Sequence, residues 1–498
     1  MCSSDLYAAL TGGLGVCTAT AGPGAAHLVN GLADAKTDSQ PVLAITGQAE
    51  SFRVGTVYKQ VINQQELLGA VTQFTAEIAH PEALVDVLGR AMRTALAHST
   101  ATHVSIPKDF WLAPVARAQA RPPEPYLLTP ARSAAYVLDG ALHLLHRASR
   151  PLIAVGNGAA RAVGDVLRLA ERLRAPIIYS LPVAGRIPRE HPLVIGGLGE
   201  GGAEASLSLL AEADCVLRIG TTWWPREYTP ERITAIDINV RPDHLGLGSP
   251  TAYGVVGPAE EILPSLVERA PDAPRPEWEA RASALRAAWE HRLNEEVREG
   301  WESRSKRIHP ALIVRQLSDR LPHDAVVALD VGEHVLWFNR HFRGSGSQDV
   351  LVSGYWRSMG FGLPAALAAK KAHPGRPVVA VVGDGGLGMT LAELTTAVQQ
   401  RLPVTVVVFN NRSLGMEENA MEREAMPVYG VKLHNPSFAR YAELCGAAGI
   451  HVDSPGELEG AIERALWHAA EESRPAVVDV ATAPVMVPAP QKLHAFAL

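Results

Sequence analysis

The sequence predicts an α/β protein built from three doubly wound parallel-sheet domains, the first of them incomplete. Short β-branched apolar runs of strand length alternate with helical patterns, which is typical of parallel sheets covered by helices. At 498 residues the chain exceeds one ordinary hydrophobic core. Glycines and polar side chains directly follow two of the buried strands, where open parallel sheets bind ligands. We therefore expect domains at residues 1–114, 131–270 and 308–483 and a tail at 484–498.

The composition excludes several classes of protein. A hydrophobic content of 47% with 20% charged residues is typical of a globular protein. The net charge of −6, without a basic block, argues against a nucleic-acid partner. No apolar run approaches the roughly 20 residues of a membrane span, and the start lacks the pattern of a signal peptide. The four cysteines lack metal or redox spacing, so we expect reduced thiols in a cytoplasmic protein.

We expect the chain to begin within its first domain, with the end of a helix at residues 6–10. A tight turn at residues 21–24 follows the first strand and leads into a helix. Nothing pairs His27 or His103 with a nucleophile, so both are interpreted as capping or core histidines. The predicted elements after the first helix are strands at 16–20, 41–46 and 104–106 and a helix at 25–35.

The middle domain follows a linker at residues 116–130 that is rich in proline and alanine. Gly156-Asn157-Gly158 follows a predicted strand, but the third glycine of a dinucleotide fingerprint is missing, so this segment is weak evidence for a nucleotide. Residues 278–307 combine helical periodicity with many Glu/Arg pairs and predict a solvated connecting helix. The predicted elements are strands at 152–155, 177–180, 216–219 and 233–238 and helices at 163–173 and 203–211.

In the third domain two apolar runs form one strand–helix–strand unit. Residues 383–386 are expected to end the first strand, and Pro403 helps to end the helix that follows. The right-handed crossover sets both strands parallel. The predicted elements of the domain are strands at 326–329, 378–382, 404–409 and 477–480 and helices at 390–400, 438–445 and 458–470.

This unit places Asp384 and Asn411 just past the carboxyl ends of neighbouring strands. A carboxylate and a carboxamide are hard oxygen ligands, suited to a magnesium ion that also takes substrate phosphates. Gly383, Gly385 and Gly386 let a ligand approach the backbone, and N–H groups at a helix start favour anions. A metal-bridged diphosphate fits these features. The alternative is that Asp384 and Asn411 only cap turns, but the strand, helix and strand in register favour the metal.

The segments Gly383-Asp384-Gly385-Gly386 and Phe409-Asn410-Asn411 together resemble the thiamine-diphosphate signature of the acetolactate synthase and pyruvate oxidase family. The resemblance runs from about Leu14 to Lys492. It implies thiamine diphosphate and Mg²⁺ as cofactors, held by the third, diphosphate-binding domain. The implied metal ligands are Asp384, the side chain of Asn411 and the carbonyl of Ser413, and the residues next to the cofactor are Leu414, Gly415 and Met416.

Residues 353–366 also resemble a family segment. By that resemblance Met359 is the wedge that bends the cofactor, and a flexible thioether suits a position beneath a curved ligand. Arg357 stands where many relatives have a glycine whose carbonyl faces the pyrimidine amine, which implies a cofactor contact. Glu417 stands where relatives have an aliphatic residue facing the substrate.

Residues 7–12 and 20–25 resemble the opening motifs of the family's pyrimidine-binding domain. Pro23 and Gly24 are therefore implied in cofactor binding. Gln60 is implied as a catalytic residue beside the reacting carbon, in a loop that departs from the family at Lys59 and Val61. Relatives place a catalytic glutamate upstream of these motifs, so we expect an N-terminally truncated chain with little turnover.

Residues 223–228 and 236–239 resemble pyruvate oxidases more than acetolactate synthases. Those relatives hold FAD in the middle domain, and Arg226 would then pair with the FAD diphosphate, since arginine suits bidentate phosphate contacts. The alternative is a middle domain that keeps its fold without a flavin.

The resemblance implies decarboxylation of a 2-oxo acid such as pyruvate, with oxidation or transfer of the resulting hydroxyalkyl group, as in a pyruvate oxidase. An acetolactate-synthase-like carboligase is the second interpretation, and a non-catalytic cofactor-binding homologue or an inactive fragment is the third. In the family the cofactor lies between the first domain of one subunit and the third domain of another. A homodimer or homotetramer is therefore expected.

Overall fold

A computed structural model describes residues 4–115, 135–222, 229–230, 233–247, 249–303 and 305–488. The strands of the described residues form three sheets, and every strand pair within them is parallel. The predicted α/β class with three parallel-sheet domains is confirmed.

The first sheet has four strands in the order β1-β2-β4-β3. The strands are β1 (Gly15–Ala19), β2 (Val42–Gln48), β3 (Phe74–Glu77) and β4 (Ala101–Pro107). The helices are α1 (Ser4–Thr11), α2 (Pro23–His27), α3 (Val29–Thr37), α4 (Gln64–Gly69) and α5 (Leu84–His98). The single helix predicted at 25–35 is therefore two helices, which meet at Leu28, and β3 was not predicted.

His103 is a core residue, as the sequence indicated. Its ring is fully buried between β2 and β3, and the two ring nitrogens lie 2.8 Å from the hydroxyls of Thr46 and Thr75. Burial lowers the pKa of His103 to about 4, so the ring is neutral at ordinary pH. His27, in contrast, is an exposed residue at the end of α2.

The second sheet has six strands in the order β10-β9-β8-β5-β6-β7. The strands are β5 (Pro151–Val155), β6 (Ile177–Tyr179), β7 (Val194–Gly197), β8 (Cys215–Ile219), β9 (Thr234–Asn239) and β10 (Tyr253–Val256). The helices are α6 (Asp139–Arg147), α7 (Val163–Leu173), α8 (Glu204–Glu212), α9 (Ala259–Arg269) and the long connecting helix α10 (Pro276–Glu302). The linker at 116–130 and the segment 223–228 lie outside the described residues.

The third sheet has six strands in the order β12-β11-β13-β14-β16-β15. The strands are β11 (Val326–Leu329), β12 (Asp349–Val352), β13 (Val378–Gly383), β14 (Thr405–Asn410), β15 (Ala448–Val452) and β16 (Ala476–Ala481). The helices are α11 (Pro310–Arg320), α12 (Glu333–His341), α13 (Gly362–Ala372), α14 (Asp384–Thr390), α15 (Glu393–Gln399), α16 (Gly415–Arg423), α17 (Phe438–Leu444) and α18 (Pro455–Glu471).

The middle and third sheets share an apolar layer, and helix α1 of the first domain joins the core of the third. One cluster of buried side chains is continuous from the middle sheet to one face of the third sheet. A second cluster covers the other face of the third sheet and includes Leu6 of α1. The first and third domains of one chain therefore share a packed interface.

The strand β13 ends at Gly383, as the glycines indicated, but the helix expected at 390–400 begins earlier, since α14 starts at Asp384 and α15 follows it. A Cβ on Gly385 would come within 2.7 Å of Leu414, and one on Gly386 within 2.7 Å of Asp330. These two glycines therefore allow close packing of α14. Each glycine destabilises the helix by roughly 0.5–1 kcal/mol relative to alanine.

Candidate active site

The carboxyl ends of β11, β13 and β14 open into one cleft with a volume of about 420 Å³. The three segments that follow these strands form its floor, and residues 482–485 form part of its wall. This is the position at which open parallel sheets bind ligands, and the volume lies in the range of roughly 300–1,000 Å³ that small-molecule sites occupy.

Asp384 lies in this cleft, buried at the first residue of α14. One carboxylate oxygen accepts the N–H of Arg412 at 2.6 Å and the amide of Asn435 at 2.7 Å, and the other accepts the N–H of Gly385 at 3.0 Å. Burial raises the pKa of this carboxyl, and the same hydrogen bonds oppose that shift. The side chain is thus fixed in place while it keeps acceptor capacity for a cation.

Asn411 and Ser413 bring two further oxygen atoms to the same corner. Gly383 of β13 is paired with Phe409 of β14, so the residues after both strands are neighbours. The Asn411 side-chain oxygen accepts the N–H of Ser413 at 2.9 Å. Ser413 faces Lys432 in an isolated antiparallel bridge, whose hydrogen bonds are made by the residues on either side of Ser413. In this pattern the carbonyl of Ser413 points away from Lys432 and stays available.

A carboxylate, a carboxamide and a backbone carbonyl are the donor set that Mg²⁺ takes when it also binds phosphate oxygens. Within the described ranges, no group of three or more His, Cys, Asp and Glu side chains could hold a metal ion. The mixed oxygen donors at the ends of β13 and β14 therefore fit a magnesium–diphosphate pair by their chemistry.

Met359 and Arg357 reach the cleft from the loop after β12. The terminal methyl carbon of Met359 lies 3.4 Å from the position that a Cβ on Gly385 would occupy. Arg357 is exposed and has a φ of +52°, in the left-handed region. That conformation costs a non-glycine residue about 1–2 kcal/mol, which explains physically why glycine would suit this position.

Helix α12 supplies cleft residues that the sequence did not single out. His334 is buried, its Nε2 lies 3.1 Å from the carbonyl of Asp330, and burial lowers its pKa to about 4. The Glu333 carboxylate accepts the N–H of Val487 at 3.1 Å, and burial raises its pKa. Both residues follow β11 as Asp384 follows β13, so the same reasoning about strand ends could have found them.

The tail and the segment after α16 complete the wall. The indole N–H of Trp337 donates to the carbonyl of Val485 at 3.1 Å, so the start of the tail packs against α12. Lys432 forms an ion pair with Glu418, whose carboxylate also accepts the hydroxyl of Ser413. Glu417 is exposed at the cleft.

The structure does not bring the predicted first-domain residues into this cleft. Pro23 and Gly24 begin α2, and a Cβ on the preceding Gly22 would lie 2.9 Å from the carbonyl oxygen of Gln60. Gln60 is therefore beside this turn, exposed and with a φ of +62°. None of these residues is among those that line the cleft. Arg226 lies outside the described residues.

No helix in the described parts of the chain is both long and apolar enough to cross a membrane.

Comparison with known families finds three matches along the chain. Residues 1–67 match the thiamine pyrophosphate enzyme N-terminal TPP binding domain, residues 138–266 the central domain, and residues 330–480 the C-terminal TPP binding domain. The third match contains Met359, Asp384, Asn411 and Ser413.

Curated relatives match over most of their length. The chain is 35% identical to "Putative thiamine pyrophosphate-containing protein YdaP" of Bacillus subtilis, over 95% of this chain and 81% of that protein. It is 29% identical to sulfoacetaldehyde acetyltransferase of Castellaniella defragrans, over 96% and 84% respectively. It is also 29% identical to acetolactate synthase isozyme 2 large subunit of Escherichia coli, over 92% and 83%.

Proposed function

Because this chain belongs to the thiamine pyrophosphate enzyme family, we propose that it decarboxylates a 2-oxo acid such as pyruvate and passes on the remaining two-carbon unit, with Mg²⁺ as the second cofactor. The observation that carries this proposal is the cluster of oxygen donors at the ends of β13 and β14, inside a cleft of about 420 Å³. Asp384, Asn411 and the carbonyl of Ser413 would hold the metal, and the glycines before and within α14 leave room for the diphosphate.

When bound, thiamine diphosphate supplies a nucleophilic carbon and an electron sink for loss of carbon dioxide. The protein's own residues hold and orient the reactants. Met359 stands over Gly385, where it would support a bent cofactor. His334, with a pKa of about 4, is neutral at ordinary pH and adds no charge next to the diphosphate. Arg357 adds a cation at the mouth of the cleft.

We further propose a homodimer or homotetramer, in which the Pro23–Gly24 turn and Gln60 of one copy close the cleft of another. Two observations support a second copy. The two sets of candidate residues lie apart within one chain. Exposed apolar side chains also stand in the segment before Gln60, namely Phe52 and Val57, in α14, namely Met389, and shortly before Lys432, namely Tyr429. Sedimentation at several protein concentrations tests this, and a monomer that keeps full turnover would contradict it.

The fate of the two-carbon unit divides the candidate activities. Oxidation, as in a pyruvate oxidase, is the leading proposal from the resemblance at residues 223–228 and 236–239. Carboligation is the second, supported by 29% identity to an acetolactate synthase subunit. A cofactor-binding homologue without turnover is the third.

No step is assigned to FAD. Asp237 of β9 is buried, and its carboxylate accepts hydrogen bonds from Arg218 and from the N–H of Gly246, both at 2.8 Å. That carboxylate is therefore engaged within the fold. Flavin absorbance of the purified protein tests directly whether the middle domain holds FAD.

Product analysis with pyruvate, thiamine diphosphate, Mg²⁺, FAD, inorganic phosphate and an added electron acceptor separates the three proposals. Acetate or acetyl phosphate supports the oxidase proposal, and acetolactate supports the carboligase. Cofactor binding without any product supports the non-catalytic homologue. If calorimetry detects no binding of thiamine diphosphate in Mg²⁺, the proposed function is wrong.

A further inference from the structure

One face of α3, in the first domain, makes hydrogen bonds to the loop of the same chain that carries Arg357 and Met359. Asn30, Asp34 and Asp38 are spaced four residues apart, so they lie along one face of the helix and its C-terminal end. Each of the three makes hydrogen bonds to the loop at residues 353–358. None of the three lines the cleft.

Asp38 holds the start of this loop through its backbone. One carboxylate oxygen accepts the N–H of Gly354 at 2.7 Å, and the other accepts the N–H of Tyr355 at 3.0 Å. A Cβ on Gly354 would come within 3.1 Å of both carboxylate oxygens. The contact therefore depends on a close approach that glycine permits.

Asp34 and Asn30 bind the two ends of the loop, Ser353 and Ser358. The Ser353 hydroxyl donates to Asp34 at 2.8 Å and accepts the N–H of Ser358 at 2.9 Å, so it closes the loop on itself. The side-chain oxygen of Asn30 accepts the indole N–H of Trp356 at 2.6 Å, and its amide nitrogen donates to the Ser358 hydroxyl at 2.7 Å.

The middle domain adds a third attachment, because the hydroxyl of Tyr355 donates to the carbonyl of Thr222. At least one hydrogen bond to α3 or to the middle domain is thus made by each of residues 353, 354, 355, 356 and 358. Arg357 is left in its left-handed conformation, and Met359 follows at once.

We propose that Asn30, Asp34 and Asp38 are positioning residues, which set the place of Met359 over Gly385 from another domain. The inference rests on the proposed function, since it matters for turnover only if Met359 faces the cofactor. A buried carboxylate, Asp34, and a half-buried one, Asp38, one helical turn apart are costly to the fold. Burial raises the pKa of Asp34 to about 7, and it also raises the pKa of Asp38. The hydrogen bonds that the loop donates to these two carboxylates offset part of that cost.

Asp38→Asn is the sharpest test. A carboxamide has one acceptor oxygen, so its NH₂ group would face one of the two backbone N–H donors. We expect kcat to fall on the order of 10- to 100-fold, as small misplacements of reacting groups do, while the Kd of thiamine diphosphate changes by less than about twofold. Hydrogen exchange of Gly354, Tyr355 and Ser358 in the cofactor-free protein should become faster.

Asp214→Asn is the matched control. The Asp214 carboxylate accepts two consecutive backbone N–H groups, of Ser149 at 2.9 Å and of Arg150 at 3.0 Å, in the middle domain. This variant loses the same kind of bond away from the cleft, so we expect unchanged kcat and unchanged exchange in residues 353–358. Equal loss of kcat in the two variants would overturn the proposal.

A second pair of variants serves if Asp38→Asn fails to fold. Ser353→Ala removes the hydroxyl that links Asp34 to Ser358, whereas Ser353→Thr keeps it. We expect loss of kcat and faster exchange in the first variant and rescue of both in the second. Unchanged exchange in Ser353→Ala, or equal falls in kcat and cofactor affinity, would overturn the proposal. If the wild-type protein binds no thiamine diphosphate, the proposed function fails, while the exchange measurement still tests the hold of α3 on the loop.

Discussion

The terminal methyl carbon of Met359 stands 3.4 Å from the point where a Cβ on Gly385 would lie, and Gly385 directly follows Asp384. The candidate wedge, Met359, therefore lies next to the residue that directly follows the candidate metal ligand, Asp384. A side chain added at this glycine would disturb both.

We expect Gly385→Ala to lower both kcat and the affinity for thiamine diphosphate, because the new methyl group meets Leu414 at 2.7 Å and Met359 at 3.4 Å. Gly388→Ala, in the same helix, meets nothing within 4 Å. It should keep full activity and stabilise the fold by roughly 0.5–1 kcal/mol. Calorimetry, steady-state kinetics and thermal unfolding of both variants provide the check. Similar behaviour of the two would contradict this account of Gly385.

We expect Asp384→Ala to abolish Mg²⁺-dependent binding of thiamine diphosphate, since it removes the charged donor. Asn435→Ala removes an amide that holds Asp384 at 2.7 Å. It should weaken binding by roughly 10–100-fold, as loss of an outer partner typically does. Asn411→Ala should weaken binding less than Asp384→Ala, because a neutral ligand loses less interaction with a divalent ion. Unchanged affinity in Asp384→Ala, measured by calorimetry below its unfolding temperature, would refute the metal assignment.

We expect Met359→Ala to lower kcat far more than cofactor affinity, because a wedge selects one cofactor geometry. The loss should be on the order of 100-fold. Met359→Leu keeps a similar apolar volume and should retain most of the rate. Pre-steady-state rates and cofactor titration of the two variants decide. If rate and affinity fall in proportion, Met359 is only part of the binding surface.

The buried histidine of the first domain predicts a pH dependence of stability. The pKa of His103 falls from 6.5 to about 4 in the fold. Between these values the unfolded chain binds a proton and the fold does not. Acidification through this window should therefore lower the free energy of unfolding, by up to about 3 kcal/mol.

Asp34 gives the opposite slope. The pKa of its carboxyl rises from 3.8 to about 7 in the fold, so acidification through that window stabilises the protein. The test therefore compares the free energy of unfolding of the wild type with that of a His103 variant. Urea unfolding of the wild type and of His103→Gln, whose amide can still bond Thr46 and Thr75, should diverge as the pH falls from 6.5 to 4. Parallel curves would show that His103 does not carry the effect.

The corner in which Asp384 and Asn411 meet was predictable because it depends on local pattern. Two β-branched runs and one crossover place Asp384 beside Asn411, and no distant segment is needed. The short strands β3, β7, β10, β12 and β15 were not predicted. They have only four or five residues each, too few to show a clear period.

The rest of the candidate site comes from residues that are far apart in the sequence. Asn435 reaches Asp384 from 51 positions away, and Val485 reaches Trp337 from 148 positions away. Neither contact produces a periodic pattern in the amino-acid sequence. The helix was expected only from residue 390 and its start at Asp384 was missed, because glycine propensity was given more weight than the tight packing that these glycines allow.

The bond between Ser353 and Asp34 spans 319 positions in the chain, and this has a consequence for biosynthesis. At a synthesis rate of roughly 5–20 residues per second, α3 waits about 20 to 60 s for its partner loop to be made. Contacts of such high contact order form late, because the intervening chain must first be ordered. Newly made molecules therefore pass through a stage in which α3 has been synthesised but the contacts that position the loop of Met359 have not formed. On the proposed function, the cofactor site is then completed only late in the folding of the nascent protein.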